Sequence, residues 1–140
     1  MRRNAAAGPG LALTMAAAVC CGSSHSPPDN GLQLQDAVDI AAGEVAGSDS
    51  LDRTLLAFGR PLEPGDSLFP QTGGTGGYRV DRRSWFLFLD DMSSYRWAHP
   101  CRWILVDAAT GEVRVIRESW WPARRDMMDT VRVWGRRDGG

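Results

Sequence analysis

Residues 32–47, LQLQDAVDIAAGEVAG, place Leu34, Val38, Ala41 and Val45 on one stripe at helical spacing, with Ala37 and Ala42 beside it. Asp36, Asp39 and Glu44 lie off the stripe, and Gly47 suits the position just past a helix end, so the pattern predicts an amphipathic helix. The small residues of the stripe predict close packing on a sheet. The acidic polar face argues for a core partner rather than a membrane surface, which favours basic helices. Residues 51–58 (LDRTLLAF) fit either a short second helix or an extended segment. Residues 59–78 contain three prolines and six glycines and read as loop.

From Tyr78 onward the period changes to two. In RSWFLFLD, Trp85, Leu87 and Leu89 alternate with Phe86 and Phe88, so both faces are apolar and the strand is expected to be covered on both sides. DDMSSYRWAHP reads as a turn and bridging segment. CRWILVD, AATG and EVRVIRE then read as a hairpin over residues 102–118, with Gly111 free to take positive φ, Val113 and Val115 inward and Arg114 exposed. Residues 130–134 (TVRVW) are either one further strand or part of an Arg/Gly-rich tail. The expected fold class is α+β, one helix on a small antiparallel sheet. The expected body is residues 32–122, followed by a tail over 123–140.

The N-terminus changes the setting of this domain. Arg2 and Arg3 precede an apolar run from Leu11 to Val19, the pattern of a cleaved secretory signal and too short to span a bilayer. Two cysteines follow it. Their placement resembles a bacterial lipoprotein signal over residues 1–20, with Cys21 favoured as the lipidated residue and Cys20 as the alternative. Residues 21–31 then form a spacer without apolar period. This places the protein outside the cytoplasm, held to a membrane only by its lipid anchor; ordinary cleavage would instead give a secreted or periplasmic form. Lipidation at Cys21 leaves Cys101 as a lone thiol, whereas cleavage upstream, or lipidation at Cys20, leaves Cys21 and Cys101 able to form a disulfide.

The residues LQDAVDIAAGEVAG, the aromatic strand WFLFL and the hairpin WILVDAATGEVRVI together resemble a PepSY-like module of the peptidase-propeptide type. The matching positions are Ala37, Ala41, Trp85, Val106, Asp107, Thr110, Gly111, Glu112 and Val113, within a span of about residues 33–118. The link from helix to first strand is longer than in that family, and SSYRWAHPC is an insertion. The resemblance implies a helix on an antiparallel sheet, no catalytic residue, and a peptidase-modulating role outside the cytoplasm.

Candidate chemistry is sparse. The net charge is −1, so no global field directs the chain to nucleic acid. TGGTGG lacks the Gly-Lys-Ser/Thr and the helix of a phosphate loop. His99 and Cys101 would share a face of an extended segment, the arrangement of a base and a nucleophile or of two metal ligands, but neither an orienting group nor a third ligand is identifiable. Asp90-Asp91 reads as a turn pair, and His25 lies in the spacer. No catalytic residue, metal site or cofactor is assigned. Trp97, Trp103, Trp120 and Trp121 are interleaved with Arg96, Arg102, Arg117, Arg124 and Arg125. Tryptophan and arginine are enriched where proteins bind proteins, so a protein or peptide is the expected partner and Trp120, Trp121 and Arg117 the candidate surface. The competing readings are a small envelope enzyme built on Cys101 and His99, and a structural part of an envelope assembly.

Overall fold

A computed structural model describes residues 31–45, 52–72 and 76–135. Cys20, Cys21, His25, the expected signal segment and, apart from Gly31, the expected spacer lie outside the described residues, as do Gly47 and residues 73–75 of the TGGTGG run. The architecture is α+β: a single helix α1 (Leu34–Val45) on a five-stranded antiparallel sheet, with a two-stranded ribbon on the other side.

The strands in chain order are β1 (Arg53–Phe58), β2 (Ser67–Leu68), β3 (Tyr78–Arg79), β4 (Ser84–Asp90), β5 (Cys101–Asp107), β6 (Val113–Glu118) and β7 (Met128–Trp134). The main sheet runs β6-β5-β4-β1-β7, and β2 pairs with β3. LDRTLLAF is thus a strand lying between β4 and β7. Its run of apolar residues leaves helix and buried strand indistinguishable by period, and pairing on both edges decides the matter. The ordered body also extends past residue 122, since β7 is the added strand and pairs with β1 along its whole length. Between Leu55 and Leu56 the β1–β7 register shifts, leaving Val131 as an extra residue on β7.

One face of the sheet is closed by α1. Ala37, Val38 and Ala41 meet Leu55, Ala57, Trp85, Leu87, Leu89, Ile104 and Val106. Alanines at i and i+4 let the helix backbone approach the sheet closely. The helix starts cleanly because the Asp36 carboxylate accepts from the Gln33 N–H at 2.9 Å, the reciprocal half of a capping box. Leu32 N–H donates to the Ala108 carbonyl at 2.7 Å and Trp85 Nε1–H to the Leu32 carbonyl at 2.8 Å, which fix the entering chain beside the β5–β6 turn.

That turn has the chemistry its sequence suggests. Asp107 Oδ1 accepts from the Ala109 and Thr110 N–H groups at 2.8 and 2.9 Å, and Gly111 adopts φ +75°. The Thr110 and Ala109 donors, in that order, hold the Asp107 carboxyl below the usual carboxylate range. A Cβ on Gly111 would also approach Ile40 Cδ1 and Leu32 Cδ1 to 3.3 Å, so the position needs glycine for both backbone and packing. Within the hairpin, Val113 packs inward as expected, but Val115 is 43% exposed because β6 is the sheet edge.

The opposite face buries Leu56, Phe58, Phe86, Phe88, Trp103 and Leu105 beneath irregular chain. Leu62 exchanges two backbone hydrogen bonds with Ser84, at 2.8 and 3.0 Å. Further along, Gln71 N–H donates to Trp121 O and Ala123 N–H to Phe69 O, each at 2.8 Å, beside a bridge between Pro70 and Pro122. Two segments some fifty residues apart in sequence are thereby tied together as the cover of this face.

Candidate functional site

The irregular face carries the chemistry singled out in the sequence, and the geometry separates its parts. His99 and Asp90 are both buried on the side of the sheet away from α1. His99 Nε2 lies 2.6 Å from Asp90 Oδ1, and Nδ1 lies 2.6 Å from the Trp97 carbonyl oxygen. A carbonyl only accepts, so Nδ1 carries a hydrogen and Nε2 is committed to the carboxyl. Asp90 Oδ1 also accepts from Met92 N–H at 3.2 Å. The pair thus fastens the insertion after β4 back onto the strand from which it departs.

Cys101 stands opposite Asp90 in the β4–β5 register, but its Sγ–H donates to the Trp120 carbonyl at 3.3 Å, not to the imidazole. The same carbonyl accepts from Trp103 Nε1–H at 3.1 Å. Cys101 is 2% exposed and has no disulfide partner among the described residues. Burial, then the nearby charges of Asp90, Glu118 and Asp91, push it up to about 12. A thiol that remains protonated at neutral pH, with both imidazole nitrogens engaged elsewhere, is the reverse of a nucleophile–base arrangement. The expected sharing of a face by His99 and Cys101 thus brings no hydrogen bond between imidazole and thiol.

Asp91 diverges from its neighbour. It receives both Nε and Nη2 of Arg102 and lies 3.5 Å from Arg53 Nε, placing one carboxylate between two guanidinium groups. The two aspartates are thus more than turn residues: one anchors His99, the other ties β5 to β1. Among the described residues no group of three or more His, Cys, Asp or Glu side chains is placed to hold a metal ion.

The tryptophans divide as well. Trp103 is core, packed edge-on against Phe86 at a centroid distance of 6.0 Å. Trp121 is half-buried between the His99 ring, at 6.1 Å, and the Arg125 guanidinium, at 4.2 Å. Trp120 is 44% exposed and Trp97 72% exposed. With Arg96, Gln71 and Ser119, these three indoles line an open cleft where the β4–β5 insertion meets the chain leaving β6. Tyr95 continues the aromatic surface, edge-on to Trp97 at 6.4 Å. Arg117 is not part of the cleft: it projects from β6 on the α1 side, level with Arg102. Sequence reasoning chose Trp120 and Trp121 and missed Trp97 and Arg96 as their partners. The available signal was their position, with Tyr95, in the segment inserted between β4 and β5.

Two other concavities carry less. One, beneath the ribbon, is lined by Phe58, Leu62, Leu68, Phe86 and Pro122 together with the polar Asp66, Ser67 and Arg124. The other, beside the β5–β6 turn, gathers charges that pair internally, Arg82 with Glu112 and Asp107, and Arg114 with Asp81. No family model, curated protein or solved structure matches the chain.

Proposed function

We propose that this is an exported, lipid-anchored, non-catalytic domain that binds a protein or peptide through the Trp97–Trp120–Trp121 cleft. The observation that carries the reading is the exposure of two large indoles beside Arg96. Tryptophan and arginine dominate binding hot spots, and exposed indoles of this size are uncommon without a partner. The rings are set on a framework of buried hydrogen bonds, so the surface is held in shape before a partner arrives.

The placement of the cleft suits an anchored protein. The chain enters α1 beside the β5–β6 turn, at one end of β5, and the cleft lies at the other end, beyond Cys101 and Glu118. Seven residues of strand separate the two ends, on the order of 20 Å. An anchor at Cys21, or at Cys20, would thus tether the domain by the end away from the cleft. The PepSY-like resemblance of α1 and the VDAATGEV hairpin adds a peptidase as a partner class. The runner-up, a structural part of an envelope assembly, would use the same surface.

Panning a displayed random-peptide library on the folded domain tests the binding reading. Wild type is expected to enrich a peptide set that the double variant Trp97→Ala, Trp120→Ala does not; equal enrichment by both removes the cleft from the account. Intact mass of the membrane-fraction protein tests the anchor: an acylated chain starting at Cys21 is expected, and an unacylated chain in the soluble fraction contradicts it.

A further inference from the structure

The β6 edge continues directly into this cleft. Ser119 follows the last residue of β6 and already lines the cleft with Trp120. Asp107 N–H donates to the Glu112 carbonyl at 2.9 Å, and with the β5–β6 register this sets which backbone groups of β6 are used. Arg114, Ile116 and Glu118 turn theirs toward β5. Val113, Val115 and Arg117 direct N–H and C=O outward, to an edge with no neighbouring strand among the described residues.

The two edges of the sheet differ. β7 carries an extra residue at Val131, and Arg132 reaches back to Asp39 on α1 at 3.1 Å, features that twist and guard an edge. β6 has no register shift along its pairing with β5. Its cleft end carries Arg117 and, on the other side of the sheet, Glu118, and Arg96 adds a second cation in the cleft. No hydrogen bond or ion pair joins Arg117 or Arg96 to another described residue, whereas the neighbouring Arg102 is already held by Asp91.

We infer that the ligand is an extended acidic peptide that adds to β6 as an antiparallel sixth strand and runs on into the tryptophan cleft. This inference rests on the proposed peptide-binding function and specifies its geometry. The added strand exchanges backbone hydrogen bonds with Val113, Val115 and Arg117, which supply affinity without regard to sequence. Selectivity comes from the side chains. A carboxylate opposite Arg117 meets a guanidinium with no partner among the described residues, β-branched residues opposite Val115 and Val113 extend the apolar surface on the α1 side, and the preceding residues lie against Trp120 beside Arg96.

The register gives a probe: acetyl-Pro-Thr-Glu-Thr-Val-Glu-Val amide, whose first Glu falls opposite Arg117 and whose first Val falls opposite Val115. Its affinity is read by indole fluorescence. Val115→Pro is the sharpest variant, because the N–H it removes points outward and no β5 hydrogen bond is lost. It is expected to weaken the probe by about tenfold or more while leaving the cleft intact. N-methylation of the probe at the Val opposite Val115 is expected to do the same with the protein unchanged, whereas N-methylation at the adjoining Thr, opposite Ile116, has little effect. Replacing both Glu residues by Lys is expected to abolish binding.

If Trp97→Ala and Trp120→Ala weaken the probe but Val115→Pro and N-methylation do not, strand addition is overturned and the cleft reading stands. If the probe fails to bind at about 1 mM, or no substitution alters its binding, both are overturned. If Val115→Pro converts a dimer of the protein to monomer, the β6 edge belongs to a second copy of the chain and the peptide proposal falls.

Discussion

The two faces of the sheet are built by different means. On one, a single helix lays small side chains onto aliphatic ones, and almost every contact is apolar. On the other, loops separated by fifty residues are held by backbone bridges, a buried His99–Asp90 pair, a thiol and an indole sharing the Trp120 carbonyl, and aromatic edges. The first arrangement is a closed apolar packing of helix on sheet, with Arg117 and Val115 left at its β6 margin. The second positions bulky aromatic side chains at the surface and keeps them there. In the proposed reading, placing indoles on irregular chain over a rigid sheet separates the work of folding from that of recognition.

The sharpest way to break this contrast is to remove the polar support of the irregular face. His99→Ala leaves the Asp90 carboxyl, 1% exposed, with only the Met92 N–H. A loss of about 3 kcal/mol or more in chemical unfolding is expected, the range found when one member of a buried polar pair is deleted. A neutral result would mean that this face does not depend on the pair. On the helix face the vulnerability is volume. Ala41→Leu inserts a branched side chain where Ala41 is fully buried against the sheet, with an expected loss of about 1–3 kcal/mol.

Gly111→Ala tests the turn joining β5 and β6. Positive φ and the 3.3 Å approaches to Leu32 and Ile40 together give an expected loss of about 1–2 kcal/mol. A smaller effect follows from Asp107. Its carboxyl is held below its unfolded value of about 3.9, so the stabilisation is complete above that pH and disappears as pH falls through the lower folded value. Asp107→Asn should therefore trail wild type at neutral pH and converge with it in acid; a gap that persists in acid contradicts the assignment. The smallest expected effect is that of Trp97→Ala, within about 0.5 kcal/mol, because the indole is largely in solvent. A large loss there would turn Trp97 from a recognition residue into a structural one.

The contrast also explains what could be read in advance. α1 shows its period within twelve residues, and the β5–β6 turn announces itself through Asp107, Thr110 and Gly111, all local signals. β4 was legible because an unbroken apolar run with no polar face demands cover on both sides. β1 was ambiguous because RTLLAF owes its identity to neighbours at positions 84–90 and 128–134. β7 mixes polar and apolar residues as exposed tails do, and only its pairing with β1 distinguishes it. The irregular face was hardest. The bond from His99 to Asp90 and the seam from Phe69–Gln71 to Trp121–Ala123 depend on tertiary geometry that no local period encodes. Of the candidate surface, Trp120 and Trp121 followed from composition and place in the chain. Arg117 followed from the same neighbourhood in sequence, and strand alternation turns it to the α1 side at the end of β6 that leads into the cleft.

The most direct test of the division between a structural face and a recognition face is backbone and indole NMR of the domain titrated with the acidic heptapeptide. The account predicts shifts at the Trp97 and Trp120 indoles, with new exchange protection at the amides of Val113, Val115 and Arg117 and none along α1. Shifts centred on α1, with the indoles and the β6 edge unmoved, would contradict it.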